Sequence, residues 1–150
     1  MATQKLTEIK TRSLGGLEGI VGFHLRLAHG SVYRHFTETS ANRDLTQKQA
    51  SALWLAAEEA GISQVELGRR LRMDRATTMT IVNRLQDRGY MRRERSDSDG
   101  RKQALHVTEA GLGALEEAKV CIAEHENWLK ARFTTAEVEK LVEMLTRIHE

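Results

Sequence analysis

Proline is absent from the 150 residues and cysteine occurs once. Without proline, no helix interior is broken by a residue lacking an amide hydrogen, and glycine does the punctuating. The single cysteine, Cys121, cannot close an internal disulfide, which removes disulfide-framed secreted scaffolds. No apolar run approaches the roughly 20 residues a membrane helix needs, so no membrane partner is expected. The opening MATQKLTEIKTRS has no signal-peptide core, and a cytoplasmic address is expected. Enzyme signatures are missing too: no nucleophile elbow, no P-loop, no glycine-rich nucleotide fingerprint. The acidic pairs Glu58-Glu59 and Glu116-Glu117 are adjacent and diverge on a helix. Neither an enzymatic activity nor a cofactor is expected. His24 and His29, five apart, do not share a helix face, and there is no cysteine–histidine cluster, so no metal site is expected.

What is present is a folded-domain composition, 40% hydrophobic and 29% charged, which is neither that of a disordered chain nor that of a membrane chain. The net charge of +2 hides a strong asymmetry. Arg69 to Lys102 holds 11 Lys/Arg against 5 Asp/Glu, a net of +6, and the remainder holds 12 against 16, a net of −4. A basic block on an acidic frame suits a polyanion, although a solvated basic face accounts equally well for charge alone.

Periodicity and capping predict a mainly α chain with one small β-hairpin. Leu14 to Glu38 reads as one helix, with Val21, Leu25, Ala28, Val32 and Phe36 as its apolar stripe and four glycines (Gly15, Gly16, Gly19, Gly22) opposing its first turns by ~1 kcal/mol each. Thr46 to Glu59 follows, opened by a Thr46–Gln49 capping box, with Ala50, Leu53, Trp54 and Ala57 inward. Ser63 and Glu66 make a second box and open a short helix to Leu71, with Val65, Leu67 and Leu71 apolar. Arg72-Met73 is the turn, and Asp74 caps a helix to about Arg88 whose Thr78, Ile81, Val82 and Leu85 face inward. Strands are predicted over Tyr90 to Arg95 and Ala104 to Val107, with Asp99-Gly100 as the turn signal. Helices from Thr108 to about Phe133 and, after a Thr134–Glu137 box, to about His149 complete the chain.

Two short helices, a sharp turn and a basic hairpin in that order form a winged helix-turn-helix, a shape that fits the DNA major groove. The end of a groove-bound helix that reaches base edges is its N-terminus, here DRATTMT. Arg75 can donate twice to a guanine, Thr77 and Thr80 offer hydroxyls and methyls, and Arg84 suits phosphate. The helix N-termini at Thr46 and at Ser63-Gln64 expose backbone N–H groups that also suit phosphate. At the hairpin tip, Arg101 and Lys102 can enter a minor groove, with Asp99 bracing Arg101. An ordinary helical hairpin and an exposed polar turn explain each part singly; the conjunction points to DNA.

These residues resemble the MarR family of bacterial transcriptional regulators: Leu67-Gly68 to Leu71, Asp74-Arg75 to Thr77, Asn83-Arg84-Leu85, Arg88-Gly89-Tyr90, Asp99 to Arg101, and Leu105 to Gly111. The likeness covers roughly 46 to 112. Thr80 departs from it, since many members carry arginine or lysine there. The resemblance implies a single domain over 1–150, with a DNA-binding lobe at 46–110 and dimerisation helices at 1–40 and 111–150. It implies an obligate homodimer that docks on a palindromic operator, with Arg75, Thr77, Thr80 and Arg84 as helix contacts and Asp99 and Arg101 as the wing pair. Apolar residues at both ends, among them Leu14, Leu17, Leu141 and Leu145, also ask for an interface.

A small-molecule effector is a further expectation. Gly22, Arg26, His29 and Tyr33 flank the first helix's stripe, His24 lies on its other flank, and Trp54 is on the next helix. An arginine and hydrogen-bonding rings beside an apolar groove suit an aromatic carboxylate or an acyl thioester carrying phosphates. GFHLRLAHG and Tyr33 also look like the family's repressors of aromatic-acid catabolism, which implies a repressor released by a small aromatic acid or its CoA thioester. Two alternatives stay open: a winged-helix protein-interaction module without an effector, and a redox-responsive regulator using Cys121.

Overall fold

The computed structural model describes residues 14–40, 44–96, 98, 100 and 103–150. Contacts divide the chain into two compact units, one ending at His35 and one running from Phe36 to Glu150. In the first, Gly15–Gly19 form a 3-10 turn, and helix α1, Val21–Thr39, starts only after Ile20. This corrects the expectation of one helix from Leu14. Gly15 sits at φ +66° and Ile20 is extended, so the glycine cluster takes tighter and left-handed conformations that a regular α-helix excludes. Within α1's apolar stripe only Phe36 is buried, and Val21 is 70% exposed.

The second unit contains the lobe. Helix α2, Gln47–Glu58, is opened by the Thr46–Gln49 capping box, both halves of which form. It buries Ala50 and Leu53 as expected, but also Gln49, Ala52 and Ala56. Trp54 is not on that buried side: it is 37% exposed, its Nε1–H donates to Glu58 and its ring lies under Lys119 Nζ at 5.0 Å. Helix α3, Gln64–Arg70, is capped by Ser63, which accepts from the Glu66 N–H at 3.1 Å. The second capping box is only half made, because the Glu66 carboxylate is held by Arg69 at 2.5 and 2.9 Å. Of the apolar positions of α3, Val65 is 78% exposed, whereas Leu67 is fully buried.

Helix α4, Arg75–Asp87, buries Thr78, Ile81, Val82 and Leu85 as its pattern requires. Strand β1, Met91–Arg95, pairs antiparallel with β2, Gln103–Val107, with Met91 opposite Val107 and Arg95 opposite Gln103. A short extra edge joins β2: the Gly61 N–H donates to the Leu105 carbonyl and the Leu105 N–H to the Ile62 carbonyl, both at 2.9 Å. Thr108 caps helix α5, Glu109–Lys130, and Thr134 caps α6, Thr135–His149, through a complete box with Glu137. Leu45, Leu53, Leu67, Val82, Leu85, Met91, Leu105 and Leu115 meet in one core, so α2, α3, α4, the hairpin and α5 share it. None of α6's residues is buried. No helix among the described residues is long and apolar enough to cross a membrane.

Two glycines set the spacing of the lobe. A Cβ on Gly68 would lie 2.5 Å from Thr78 Oγ1, so α3 and α4 approach this closely only without a side chain there. A Cβ on Gly111 would overlap the Tyr90 carbonyl, at the junction of the hairpin and α5.

Candidate nucleic-acid interface

The turn between α3 and α4 is built from Arg72, in a left-handed φ of +54°, and Met73, whose N–H donates to the Gly68 carbonyl at 2.9 Å. Asp74 then caps α4. Its two carboxylate oxygens accept from the Thr77 N–H (2.8 Å) and the Thr77 hydroxyl (2.6 Å). These bonds stabilise the ionised form and hold the Asp74 carboxyl below the usual carboxylate range. They also engage the hydroxyl proton of Thr77, leaving that side chain its lone pairs and its methyl. Thr78, one position on, donates back to the Asp74 carbonyl at 2.8 Å and faces Gly68.

Outward from this start, Thr46, Lys48, Thr77, Thr80 and Arg84 line one shallow recess between the beginning of α2 and α4. Gln64, Arg69 and Arg75 line a second between α3 and α4. Four of the residues nominated from sequence thus converge in one place and two in the other. The nominated Asp99, Arg101 and Lys102 lie outside the described residues. Gln64 is not a free group: its side-chain oxygen accepts from Arg93 at 3.0 Å. Lys48, Arg72 and Arg93 were not nominated; the position of Lys48, two residues after a helix cap, is a signal that could have found it.

Ion pairing sorts the basic block. Arg69 pairs with Glu66, Arg70 with Glu59, Arg88 with Asp44 and Arg92 with Glu94. Hydrogen bonding to Arg69 lowers the Glu66 pKa, and the same pairing raises that of Arg69. Arg72, Arg75, Arg84 and Lys48 make no side-chain pair among the described residues. Apart from Arg95 at the end of the first hairpin strand and Arg93, which amides hold, the described cations of the block left without a carboxylate are those at the helix-turn-helix surface. Open guanidinium and ammonium groups around exposed hydroxyls can take phosphates and base edges, and cannot by themselves perform covalent chemistry.

The residues nominated for an effector are placed as follows. On α1, His24 Nε2 is 2.8 Å from the Glu18 carbonyl oxygen, the Arg26 guanidinium lies over the Phe23 ring at 5.4 Å, and His29 stacks on Tyr33 at 6.3 Å between centroids. Gly22 is exposed, and Trp54 makes the Glu58 and Lys119 contacts described above. None of these lines the cavity of about 320 Å³ inside the second unit, whose walls include Phe36, Ser40, Tyr90, Ala114, Glu117 and Cys121. Cys121 is buried, with Sγ 4.0 Å from the Thr39 carbonyl. No cluster of three or more potential metal ligands occurs among the described residues.

A helix pair with open cations, followed by an antiparallel hairpin and sharing its core with a long helix, defines a winged-helix DNA-binding protein. The model of the MarR family matches residues 45–102. A Thauera aromatica protein assigned to transcriptional regulation of the hcr operon is 29% identical over 136 residues, 90% of this chain and 82% of that one. The transcriptional repressor CouR, solved bound to a 23-mer DNA duplex, is 30% identical with a TM-score of 0.87, over 93% of this chain and 99% of that chain. CouR bound to p-coumaroyl-CoA is 28% identical with a TM-score of 0.82, over 92% and 97%. The chain belongs to the MarR family and is a DNA-binding transcriptional regulator, not an enzyme.

Proposed function

We propose that the chain is a cytoplasmic, homodimeric repressor that binds a palindromic operator and leaves it when a small aromatic acid or its CoA thioester binds. The observation that carries the DNA half is the convergence of Thr46, Thr77, Thr80 and Arg84 in one recess, with an unpaired Arg75 at the start of the same helix. In this reading Arg75 and Thr80 meet base edges, Thr77 offers its methyl and lone pairs, and Arg84, Thr46 and the Ser63-Gln64 turn meet phosphate. Asp99, Arg101 and Lys102 form the wing contact. The dimer reading is supported by Leu14, Leu17, Ile20, Leu145 and Ile148, large apolar side chains that are all exposed in the single chain.

The effector half is assigned to Arg26, His29 and Tyr33 of α1, with Gly22 and His24 beside them and Trp54 as a separate candidate. A guanidinium and two rings able to hydrogen-bond match a carboxylate or phosphate joined to an aromatic ring. That CouR binds p-coumaroyl-CoA supports this class. Anisotropy titration of an operator duplex, with and without hydroxycinnamoyl-CoA and simple aromatic acids, tests the reading. Release of DNA by one of them, abolished in Arg26→Ala, is expected; DNA affinity unmoved by all of them would remove the effector.

A further inference from the structure

Arg93 lies in β1, at the root of the hairpin. Its guanidinium donates to Gln64 Oε1 at the start of α3 (3.0 Å), to Asn83 Oδ1 in α4 (2.6 Å), and to Gln86 Oε1 three residues further along α4. All three acceptors are neutral amides, and no carboxylate pairs with Arg93 among the described residues. The paired arginines of the lobe spend their charge on carboxylates; Arg93 instead ties three segments together and keeps its charge. The planar fork spreads these bonds over two nitrogens, Nη1 for Gln86 and Nη2 for Gln64 and Asn83; a lysine ammonium has three donors, but they radiate from one atom without the fixed plane.

α4 is otherwise attached through Thr78, fitted against Gly68 near its start, and through Ile81, Val82 and Leu85. Apolar burial is strong but non-directional, so it resists separation better than it fixes roll about the helix axis. Two of the Arg93 acceptors lie on α4's polar side, where roll is read out as the direction of Arg75, Thr80 and Arg84.

We propose that Arg93 is a positioning residue for DNA reading: its fork locks the roll of α4 against α3 and the hairpin root, without itself contacting phosphate. The inference rests on the DNA-binding reading of this surface. The test compares wild type, Arg93→Lys, Asn83→Ala and the double variant on a preferred duplex and a random-sequence duplex across a salt series. Arg93→Lys keeps the charge and loses the fork. Its affinity for the preferred duplex should fall about tenfold, the size typical of coupled polar contacts. Random-sequence binding and the slope of log K against log salt should stay as in wild type. Asn83→Ala should show the same pattern more weakly, and the double variant should bind no worse than Arg93→Lys.

Circular dichroism and thermal melting check folding; if Arg93→Lys does not fold, Asn83→Ala carries the same comparison. A phosphate contact would behave differently. Arg93→Lys would bind nearly as wild type, and Arg93→Ala would weaken both duplexes together and reduce the salt slope by about 0.9. That result, or unchanged affinity in every variant, overturns the proposal. Failure of the wild type to bind any duplex would instead overturn the DNA reading itself.

Discussion

Helices α4 and α6 are both amphipathic, and they are finished in opposite ways. α4 buries Thr78, Ile81, Val82 and Leu85 and leaves Arg75 and Arg84 open. α6 pairs its cations, Lys140 and Arg147 both with Glu143, and leaves Val142, Met144, Leu145 and Ile148 exposed. A helix whose apolar face is satisfied and whose cations are not is incomplete toward a polyanion. A helix whose charges are satisfied and whose apolar face is not is incomplete toward another apolar surface. The two deficits differ in kind: the first suits DNA, and in the function proposed above the second is covered by a second copy of the chain.

The largest expected effect comes from giving α6 a charge where it needs an apolar partner. Leu145→Glu combined with Ile148→Glu removes apolar burial worth about 1.5–3 kcal/mol per side chain in each copy. Sedimentation should show a monomer, and operator binding should be lost with the isolated fold retained; an unchanged dimer would break the comparison. Next is the inner side of α4. Gly68→Ala forces a methyl against Thr78 and should destabilise the lobe by about 1–3 kcal/mol in urea unfolding. A silent substitution would mean that α3 and α4 are less tightly fitted than described.

The outer side of α4 is probed by Arg75→Ala and Arg84→Ala. The first should cost about 1–3 kcal/mol of operator affinity and relax sequence preference; the second should weaken all duplexes alike and lower the salt slope by about one. Reversal of these patterns would exchange their roles. The smallest effect is at the cap. Because hydrogen bonds from Thr77 lower the Asp74 pKa, its contribution is fully present above the usual carboxylate range and is lost as pH falls below that range and through the lowered folded-state value. The difference in melting temperature between wild type and Asp74→Ala should therefore narrow in acid, and a gap that widens would contradict the cap.

Much of this was readable from residue order because it is local chemistry. The caps at Thr46, Asp74, Thr108 and Thr134 each depend on a donor three residues away, and α4's inward face follows from its spacing. The misreadings came where a side chain had a choice of partners. Glu66 can return to its cap or reach Arg69, and it reaches Arg69. Trp54 can turn inward or lie along Lys119, and it lies along Lys119. Four glycines at the start of a helical pattern compete with it, and there the 3-10 turn wins. Arg93 was illegible for a different reason: its acceptors lie 29, 10 and 7 residues away in sequence, and only the folded lobe gathers them.

The measurement that tests the pairing of these two deficits most directly is selection of bound duplexes from a random-sequence pool by the full chain. Two copies held by their outer helices predict an enriched motif with two-fold symmetry, its half-sites one helical turn or a multiple apart, about 10 base pairs or more. Enrichment of a single asymmetric half-site, or of no motif, would contradict the account.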